Sequence, residues 1–286
     1  MHVPVMLAEC LEYLAVRPEN TYLDATAGMG GHAGAIAAKL TTGVVIANDR
    51  DAESLEIAKK NTASCQERIR YHHGSFGELA SALRKYGVDR VDGLLADLGV
   101  SRYQLVEPER GFSLMSEGPL DMRMDRSQGT TAGDLINFAR EQELADLIYQ
   151  FGEERRSRKV ARAIVRARPI QTTGQLARVI EKAVPRTGKL HPATQTFMAL
   201  RMAVNDEQGE LDRLLAAAPE LVKSGGRIVI LTFMSLEDRK VKQSFQALAR
   251  AGRATLLNKH VVRPSEEEIK KNPPSRSAKL RAVEMR

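Results

Sequence analysis

The chain has 286 residues, 43% of them hydrophobic, so it can bury a core large enough for one big domain or two smaller ones. The formal net charge of +7 and the pI of about 9.5 favour a polyanionic partner, although a merely basic surface explains the same numbers. The first residues lack a basic start, and no apolar run approaches the ~20 residues needed to span a bilayer, which predicts a soluble cytoplasmic protein without a membrane segment. Cys10 and Cys65 lack CxxC spacing, which argues against both a disulfide framework and a zinc knuckle.

Short apolar runs alternate with helical patterns through the first hundred residues. Strands are predicted at residues 21–27, 44–49, 69–76 and 93–98, with helices at 51–62 and 76–86. Three more candidate strands follow near the end of the chain, at residues 227–233, 254–262 and 278–285. Alternating strands and helices predict an α/β fold, with a doubly wound, mostly parallel sheet covered on both faces.

The connection between Gly99 and Arg227 is far too long for a single crossover, so a further domain is expected there. Its patterns are helical, at residues 131–151, 155–168, 173–184 and 193–222. Two of these helices start with the spacing of a capping box, Thr131 with Asp134 and Thr172 with Gln175. We therefore expect an all-helical domain at residues 102–211 inserted into an α/β domain formed by residues 1–101 and 212–286.

A glycine loop, LDATAGMGGH at residues 23–32, follows the first strand. Glycines let such a turn tighten, so that backbone N–H groups at the next helix approach a bound anion. Asp49 follows at the end of the second strand, where it can accept hydrogen bonds from ribose hydroxyl groups. The same glycines satisfy the dinucleotide pattern of dehydrogenases, but a carboxylate at Asp24 would repel a pyrophosphate and would tolerate a cationic cofactor such as S-adenosylmethionine.

Asp97 ends the fourth predicted strand, in the segment LLADLGVS. Ligands of doubly wound sheets bind beyond the carboxyl ends of the strands, so Asp97 is expected in the same crevice as Gly30 and Asp49. A carboxylate that accepts an N–H bond from an exocyclic amine localises the nitrogen lone pair and stabilises the positive charge that develops during methylation. Asp97 is therefore the candidate catalytic residue, although a role in holding the cofactor alone explains its position equally well.

Ten short sequence blocks follow one another along the chain: DATAGMGGH, ANDRD, HGSF, LLADLGVS, GFS, GPLDMRMD, GEER, HPAT, SLEDR and RSAKLRA. In this order they resemble the bacterial 16S ribosomal RNA cytosine-N4 methyltransferases over nearly the whole chain. The resemblance implies a Rossmann-like methyltransferase domain with a helical insert for substrate recognition. It also implies that S-adenosylmethionine is used to methylate N4 of a cytosine at the decoding centre of 16S rRNA in the small ribosomal subunit.

The resemblance further implies which residues contact the cofactor. They are Gly30, Gly31, His32, Asp49, Phe76, Asp97 and Gln104. Phe76 would pack against the adenine, although an ordinary core position is the alternative. The chain departs from the family pattern at Arg102, Tyr103, Gln195 and Met234, which leaves details of substrate contact open.

Seven basic residues crowd the second predicted helix of the insert: Arg155, Arg156, Arg158, Lys159, Arg162, Arg166 and Arg168. Arg155, Lys159, Arg162 and Arg166 recur at helical spacing on one face, whereas Val160 and Ile164 mark a buried face. The basic face is interpreted as a phosphate contact, with a solvated charged face as the alternative.

Other polar residues give weaker signals. The histidines show no metal-ligand spacing, and no metal is expected. His191 is expected to order a helix start. Asp121, Arg123 and Asp125 would lie near the target base or form a salt-bridged hinge. The segment NPPS at residues 272–275 looks like an amino-methyltransferase motif but is interpreted as a loop.

Two rival functions remain open at this point. A DNA amino-methyltransferase would share the cofactor site, and a non-enzymatic assembly factor would bind ribosomal RNA and use the cofactor only structurally.

Overall fold

The structure, a computed structural model, describes residues 4–186 and 190–286. Within them, the strands are β1 Thr21–Asp24, β2 Val44–Asp49, β3 Ile69–His73, β4 Val91–Asp97, β5 Val222–Thr232, β6 Ala254–Leu256 and β7 Lys279–Met285. These described strands form one sheet in the order β3-β2-β1-β4-β5-β7-β6. The five strands from β3 to β5 are parallel to their neighbours, and β7 runs antiparallel to both β5 and β6. The strand order reverses between β1 and β4, which opens a crevice at their carboxyl ends.

The described α-helices run α1 Leu7–Leu14, α2 Gly31–Ala37, α3 Ala52–Asn61, α4 Leu79–Lys85, α5 Arg102–Val106, α6 Ala132–Phe138, α7 Glu141–Gly152, α8 Ser157–Arg166, α9 Thr173–Ala183, α10 Thr194–Val204, α11 Glu207–Leu221, α12 Ser235–Arg250 and α13 Glu266–Lys271. Together with the sheet, they confirm the predicted α/β class with a doubly wound, mostly parallel sheet. None of the described helices is both long and apolar enough to cross a membrane.

The described residues divide into two compact units. One consists of the chain up to Gly99 together with Gly209–Arg286, and the other is Val100–Gln208. The first contains the sheet, and the second is built mainly of helices. The boundaries expected from the sequence, after residues 101 and 211, lie close to these positions.

Alternating side chains of the sheet enter two separate hydrophobic clusters. In β4, Leu95 belongs to one cluster, while Leu94 and Ala96 belong to the other; β5 alternates in the same way. Successive side chains of a strand point to opposite faces, so both faces of the sheet are buried. This double burial explains why these strands are nearly continuous apolar runs in the sequence.

The helical unit has its own core, to which amphipathic helices contribute one face each. Val160 and Ile164 of α8 are fully buried, as the spacing predicted. The two capping boxes are also confirmed, because the Thr131 hydroxyl accepts from the N–H of Asp134 and the Thr172 hydroxyl accepts from that of Gln175.

Two predicted helices were wrong as continuous elements. The pattern at 131–151 is α6 and α7, separated by extended backbone at Ala139 and Arg140. The pattern at 193–222 is α10 and α11, separated at Asn205 and Asp206, the latter with φ of 45°. Neither break contains glycine or proline. Each is stabilised by contacts from distant parts of the chain.

Asn205 illustrates such a contact. Its buried side-chain amide donates to the carbonyls of Met122 and Arg201 at 2.7 and 2.8 Å and accepts from the N–H of Met124 at 2.7 Å. It thereby joins the end of α10 to a segment about eighty residues earlier in the chain.

We expect Asn205→Ala to lower the free energy of unfolding by about 2–4 kcal/mol, because buried backbone groups lose their partners. Urea denaturation would measure the change. Gln142→Ala is the control, since that side chain makes an exposed contact with Asp146 and should cost less than about 0.5 kcal/mol. Equal effects of the two substitutions would contradict the bracing role of Asn205.

Candidate functional site

Three aspartates end neighbouring strands of the sheet. Asp24 is the last residue of β1, Asp49 of β2 and Asp97 of β4, and β1 lies between the other two. The three strands run parallel, so their carboxyl ends lie at one edge of the sheet. That edge is the crevice where the strand order reverses, and it is where the sequence predicts Asp49 and Asp97.

The glycine loop connects β1 to α2 at the same edge. Gly28 and Gly30 have φ of 51° and 86°, in the left-handed region that favours glycine. A Cβ atom on Gly30 would lie 2.9 Å from the Thr62 methyl group and 3.1 Å from Ala58, so the loop packs tightly against the end of α3. The N–H of Gly28 donates to Oδ2 of Asp49 at 2.7 Å. Asp49 therefore braces the loop to which the sequence assigns cofactor contacts.

Thr26 joins the other two aspartates. Its hydroxyl oxygen accepts from the N–H of Asp97 at 2.6 Å, and its own N–H donates to Oδ1 of Asp24 at 3.1 Å. Oδ1 of Asp97 and Oδ2 of Asp24 are buried without a hydrogen-bond partner among the described residues. Acceptors of this kind are costly to bury unless a ligand satisfies them.

All three carboxyl groups have raised pKa values. Burial raises the pKa of Asp24 to about 7, with the charge of Asp49 adding to it, and raises that of Asp49 itself to about 6. The pKa of Asp97 rises to about 8, through burial first and then through the charges of Asp24 and Glu237. Part of the Asp97 side chain, 24%, stays exposed, so a ligand can reach it. A cluster of carboxyl groups, two of which have an oxygen without a hydrogen-bond partner among the described residues, fits a cationic ligand, such as one that carries an ammonium and a sulfonium group.

His32, in the first turn of α2, is 5% exposed. Its Nδ1 lies 3.7 Å from Oδ2 of Asp97, and its Nε2 lies 3.1 Å from the carbonyl oxygen of Val5. The imidazole thus contacts both a predicted catalytic carboxyl group and the N-terminal segment. The family resemblance implied that His32 contacts the cofactor and gave no sign of either of these contacts.

Phe76 follows β3 and lies in a short 3-10 turn, Phe76–Glu78. Its half-buried ring packs against the core on one face of the sheet, and its N–H donates to Oε2 of Glu210 at 2.8 Å. The adenine contact and the ordinary core position both remain compatible with this environment, so the adenine role stays a prediction.

Gln104 belongs to the helical unit, whereas the other predicted site residues belong to the α/β unit. It is buried, and it forms a capping box with Ser101, whose N–H donates to Oε1 of Gln104 at 2.8 Å. Its cofactor contact also stays a prediction.

Asn48 is a site residue that the sequence analysis missed. Its buried amide donates to the carbonyls of Ala25 and Gly74 at 3.2 and 3.1 Å, and its Oδ1 lies 2.8 Å from Nδ1 of His72. It ties together the segments that follow β1 and β3 on either side of Asp49. A polar residue next to Asp49, at the end of a buried strand, was the sequence signal that could have identified Asn48.

The comparisons with known proteins agree along the whole chain. Residues 1–286 match the family model described as the MraW methylase family. The chain is 65% identical over 286 residues to "Ribosomal RNA small subunit methyltransferase H" of Solibacter usitatus, with 100% of both chains covered. It is 47% identical to the protein of the same name from Acidobacterium capsulatum, with 99% of this chain and 98% of that one covered.

The chain belongs to the MraW methylase family. A crystal structure described as a putative rRNA-methylase from Clostridium thermocellum has a TM-score of 0.51, covers 100% of both chains and is 12% identical. At that identity the likeness supports the fold alone. The predicted family is confirmed, and with it a methyltransferase with a Rossmann-like fold.

In this methylase, the basic residues predicted to contact phosphate fall into two groups. Arg155, Arg158, Lys159, Arg162 and Arg166 are exposed, on α8 or just before it. By contrast, Arg156 pairs with Glu154 and donates to the carbonyl of Pro185, and Arg168 donates to the carbonyls of Ile136 and Ala139. Arg156 and Arg168 therefore brace the helical unit, and the exposed group alone forms a candidate RNA surface, called the α8 surface below.

The structure also gives the surroundings of the remaining residues that the sequence analysis singled out. His191 accepts from the N–H of Ala193 at 3.1 Å just before α10, which confirms its predicted role at a helix start. Asp121 pairs with Arg123 at 2.7 Å, which lowers the pKa of that carboxyl group despite its burial. In the α/β unit, NPPS at residues 272–275 lies mostly within a short 3-10 turn, Pro273–Ser277, between α13 and β7. Across the described ranges, 4–186 and 190–286, no cluster of three or more His, Cys, Asp or Glu residues could hold a metal ion.

The raised pKa of Asp97 predicts a pH-dependent stability. A carboxyl group whose pKa is higher in the folded state stabilises the fold most below its unfolded value of about 3.9, and this contribution is lost as the pH rises towards 8. Asp97→Asn cannot ionise. The variant should therefore be more stable than wild type at pH 8 by at least about 1 kcal/mol, and the difference should shrink towards pH 5.

Urea unfolding of the ligand-free protein at pH 5 and pH 8 measures both differences. Asp92→Asn serves as a control, because Asp92 is paired with Lys223 at 2.9 Å and ought not to gain stability at high pH. A variant at Asp97 that is less stable than wild type at both pH values would contradict the unfavourable burial of that charge.

Proposed function

We propose that this protein uses S-adenosylmethionine to methylate the exocyclic N4 of a cytosine in the decoding centre, at the P site, of 16S ribosomal RNA. The observation that carries the proposal is the cluster of one buried and two half-buried carboxyl groups around the glycine loop, with acceptor atoms that lack a partner among the described residues. It is supported by membership of a methylase family and by relatives named as small-subunit ribosomal RNA methyltransferases.

The cofactor would be held by the residues that the sequence predicts. Backbone N–H groups of Gly30, Gly31 and His32, at the start of α2, would bind its carboxylate. Each oxygen of Asp49 already accepts one backbone N–H and keeps a lone pair for a ribose hydroxyl. The remaining contacts would come from Phe76, Asp97 and Gln104. When bound, S-adenosylmethionine supplies an electrophilic methyl group on a positively charged sulfur.

Asp97 would act on the target amine. The N4 lone pair of cytosine is delocalised into the ring, and a carboxylate that accepts an N–H bond localises it and stabilises the growing positive charge. Only the ionised carboxylate of Asp97 can do this fully. With a pKa of about 8, that carboxyl group is protonated in most molecules of the free protein at neutral pH. A cation bound nearby favours ionisation, so Asp97 would become an effective acceptor once the site is filled.

The helical unit would provide substrate recognition. The α8 surface supplies exposed positive side chains that suit phosphate groups, and the net charge of +7 favours a polyanion overall. The target base must be unstacked and presented by folded RNA, so the substrate would be a small ribosomal subunit or a late precursor. An enzyme with that substrate would work in the cytoplasm.

Radiolabel transfer is the first test of the activity. The labelled methyl group of S-adenosylmethionine should enter small-subunit RNA, and nucleoside mass spectrometry should identify N4-methylcytidine. Label in naked duplex DNA would favour a DNA amino-methyltransferase, and label in neither would favour an assembly factor. 5-Methylcytidine would contradict the role of Asp97, because ring-carbon methylation normally uses a cysteine nucleophile, and neither Cys10 nor Cys65 ends a strand of the site.

Asp97→Asn should lower the single-turnover rate at saturating cofactor by about 100-fold or more, as expected for losing one electrostatic partner of the transition state. Asp92→Asn, in the same strand, is the matched control and should keep a rate within about twofold of wild type. An unchanged rate in Asp97→Asn would move catalysis to positioning by other groups.

Charge reversal of the α8 surface tests the RNA contact. Arg155→Glu, Lys159→Glu and Arg166→Glu together should weaken binding to the small subunit at least about tenfold and flatten its salt dependence, because phosphate contacts release counterions. Cofactor affinity should stay unchanged. The control is a variant with Lys240→Glu and Lys271→Glu, because these two lysines are paired with acids in the α/β unit. An equal loss of RNA affinity in the control would indicate a nonspecific charge effect.

A further inference from the structure

The side chain of His32 lies between the N-terminal segment and Asp97, and neither the proposed cofactor contacts nor the proposed chemistry uses it. Its Nε2 is 3.1 Å from the carbonyl oxygen of Val5. A carbonyl oxygen can only accept, so Nε2 must carry a proton. In the neutral ring, Nδ1 is then the nitrogen that carries a lone pair, and Nδ1 is the atom that faces Oδ2 of Asp97 at 3.7 Å.

The N-terminal segment that provides this carbonyl is itself held at several points. A Cβ atom on Gly31 would lie 2.5 Å from the ring of Pro4, so the segment packs directly on the start of α2. The N–H of Met6 donates to Oε1 of Glu268 at 3.2 Å, and the Met6 side chain is fully buried. The Val5 carbonyl is therefore fixed by packing, and it fixes the imidazole in turn.

The two oxygens of Asp97 have different surroundings. Oδ2 faces His32, whereas Oδ1 is buried with no hydrogen-bond partner among the described residues. The backbone N–H of Asp97 donates to the Thr26 hydroxyl, which fixes the main chain but not the torsion of the carboxyl group. Among the described residues, His32 faces one oxygen of this carboxyl group with a ring nitrogen and can therefore favour one orientation of it.

We propose that His32 is a positioning residue for Asp97. The Val5 carbonyl holds the imidazole with its proton on Nε2, Nδ1 then holds Oδ2 of Asp97, and Oδ1 is left as the oxygen that accepts the N–H of the target amine. This inference rests on the proposed function for the identity of that amine, whereas the orientation of the imidazole and of the carboxyl group belongs to the free protein.

The charges around Asp97 agree with this arrangement. Burial raises the pKa of Asp97 most, and the charges of Asp24 from β1 and Glu237 from α12 add to it. Burial likewise raises the pKa of the Cys10 thiol in α1, and the charge of Asp97 adds to that rise. In the free protein at neutral pH, the carboxyl group therefore retains its proton much of the time. A protonated Oδ2 can donate to the Nδ1 lone pair after a small closure of the 3.7 Å gap. When a bound cation favours ionisation of Asp97, the same proton passes from Oδ2 to Nδ1, so the ring N–H then donates to Oδ2 and Oδ1 accepts from the amine.

A double-mutant cycle separates positioning from a purely structural role. Single-turnover rates are measured at saturating cofactor with small ribosomal subunits for wild type, His32→Phe, Asp97→Asn and the double variant. His32→Phe should lower the rate about tenfold in the wild-type background and less than about twofold in the Asp97→Asn background, because its effect acts through the carboxyl group. An equal loss in both backgrounds would overturn the proposal. His32→Gln keeps an N–H donor for Val5 and replaces His32→Phe in the cycle if that variant does not fold.

The second measurement needs no cofactor and no RNA. NMR of the free protein with ¹⁵N-labelled histidine should show the His32 ring with a proton on Nε2, and a ring protonated on Nδ1 alone would overturn the proposal. If wild type does not methylate ribosomal RNA, the proposed function fails while this measurement still judges the orientation of His32. If wild type methylates the RNA but the His32 ring carries its proton on Nδ1 alone, the positioning role of His32 fails while the proposed function stands.

Discussion

The gathering of three carboxyl groups, one buried and two half-buried, at one edge of a parallel sheet is the constraint on which the α/β unit depends. Asp24, Asp49 and Asp97 end adjacent strands, and the chain cannot separate them without changing the strand order. Burial disfavours the charged form of each carboxyl group and raises the pKa values to about 7, 6 and 8, and neighbouring acids add to the rise. The surrounding polar contacts compensate only in part, because two of the carboxylate oxygens still have no partner among the described residues. The site is thus strained in a way that a bound cation would relieve, which links the fold directly to ligand choice.

The sheet was predictable because its signal is local. Double burial makes each parallel strand an apolar run, and Val44–Asp49 was predicted with its observed bounds. The breaks within the helical unit were not predictable in the same way. Arg168 donates to the carbonyls of Ile136 and Ala139 at the end of α6, and Asn205 holds the end of α10 through Met122 and Met124. These partners lie about thirty to eighty residues away, beyond any sequence window.

In the candidate site, too, features with a local sequence pattern were predictable, and contacts between distant segments were not. Asp49 and Asp97 could be proposed from sequence because a polar residue at the end of a buried strand is a local pattern with a known geometric consequence. The contact of His32 with Val5, and the ties made by Thr26 and Asn48, depend on how loops fold back over the sheet end. The basic run shows the opposite error. Arg168 has the same charge as its exposed neighbours, and only the structure shows that its guanidinium serves the backbone.

A cationic cofactor and a polyanionic substrate make opposite electrostatic demands on one protein. The acids that suit a sulfonium and an ammonium group would repel phosphate, and a basic surface at the same strand ends would repel the cofactor. In this chain the two kinds of charge are carried by different units: the clustered carboxyl groups lie in the α/β unit and the α8 surface lies in the helical insert. The raised pKa values of Asp24 and Asp97 leave these acids partly protonated at neutral pH, which weakens their repulsion of phosphate, whereas the exposed cations act over about a Debye length in solution. Under the proposed function, a separate inserted unit would let the chain attract RNA without weakening the proposed site for the methyl donor.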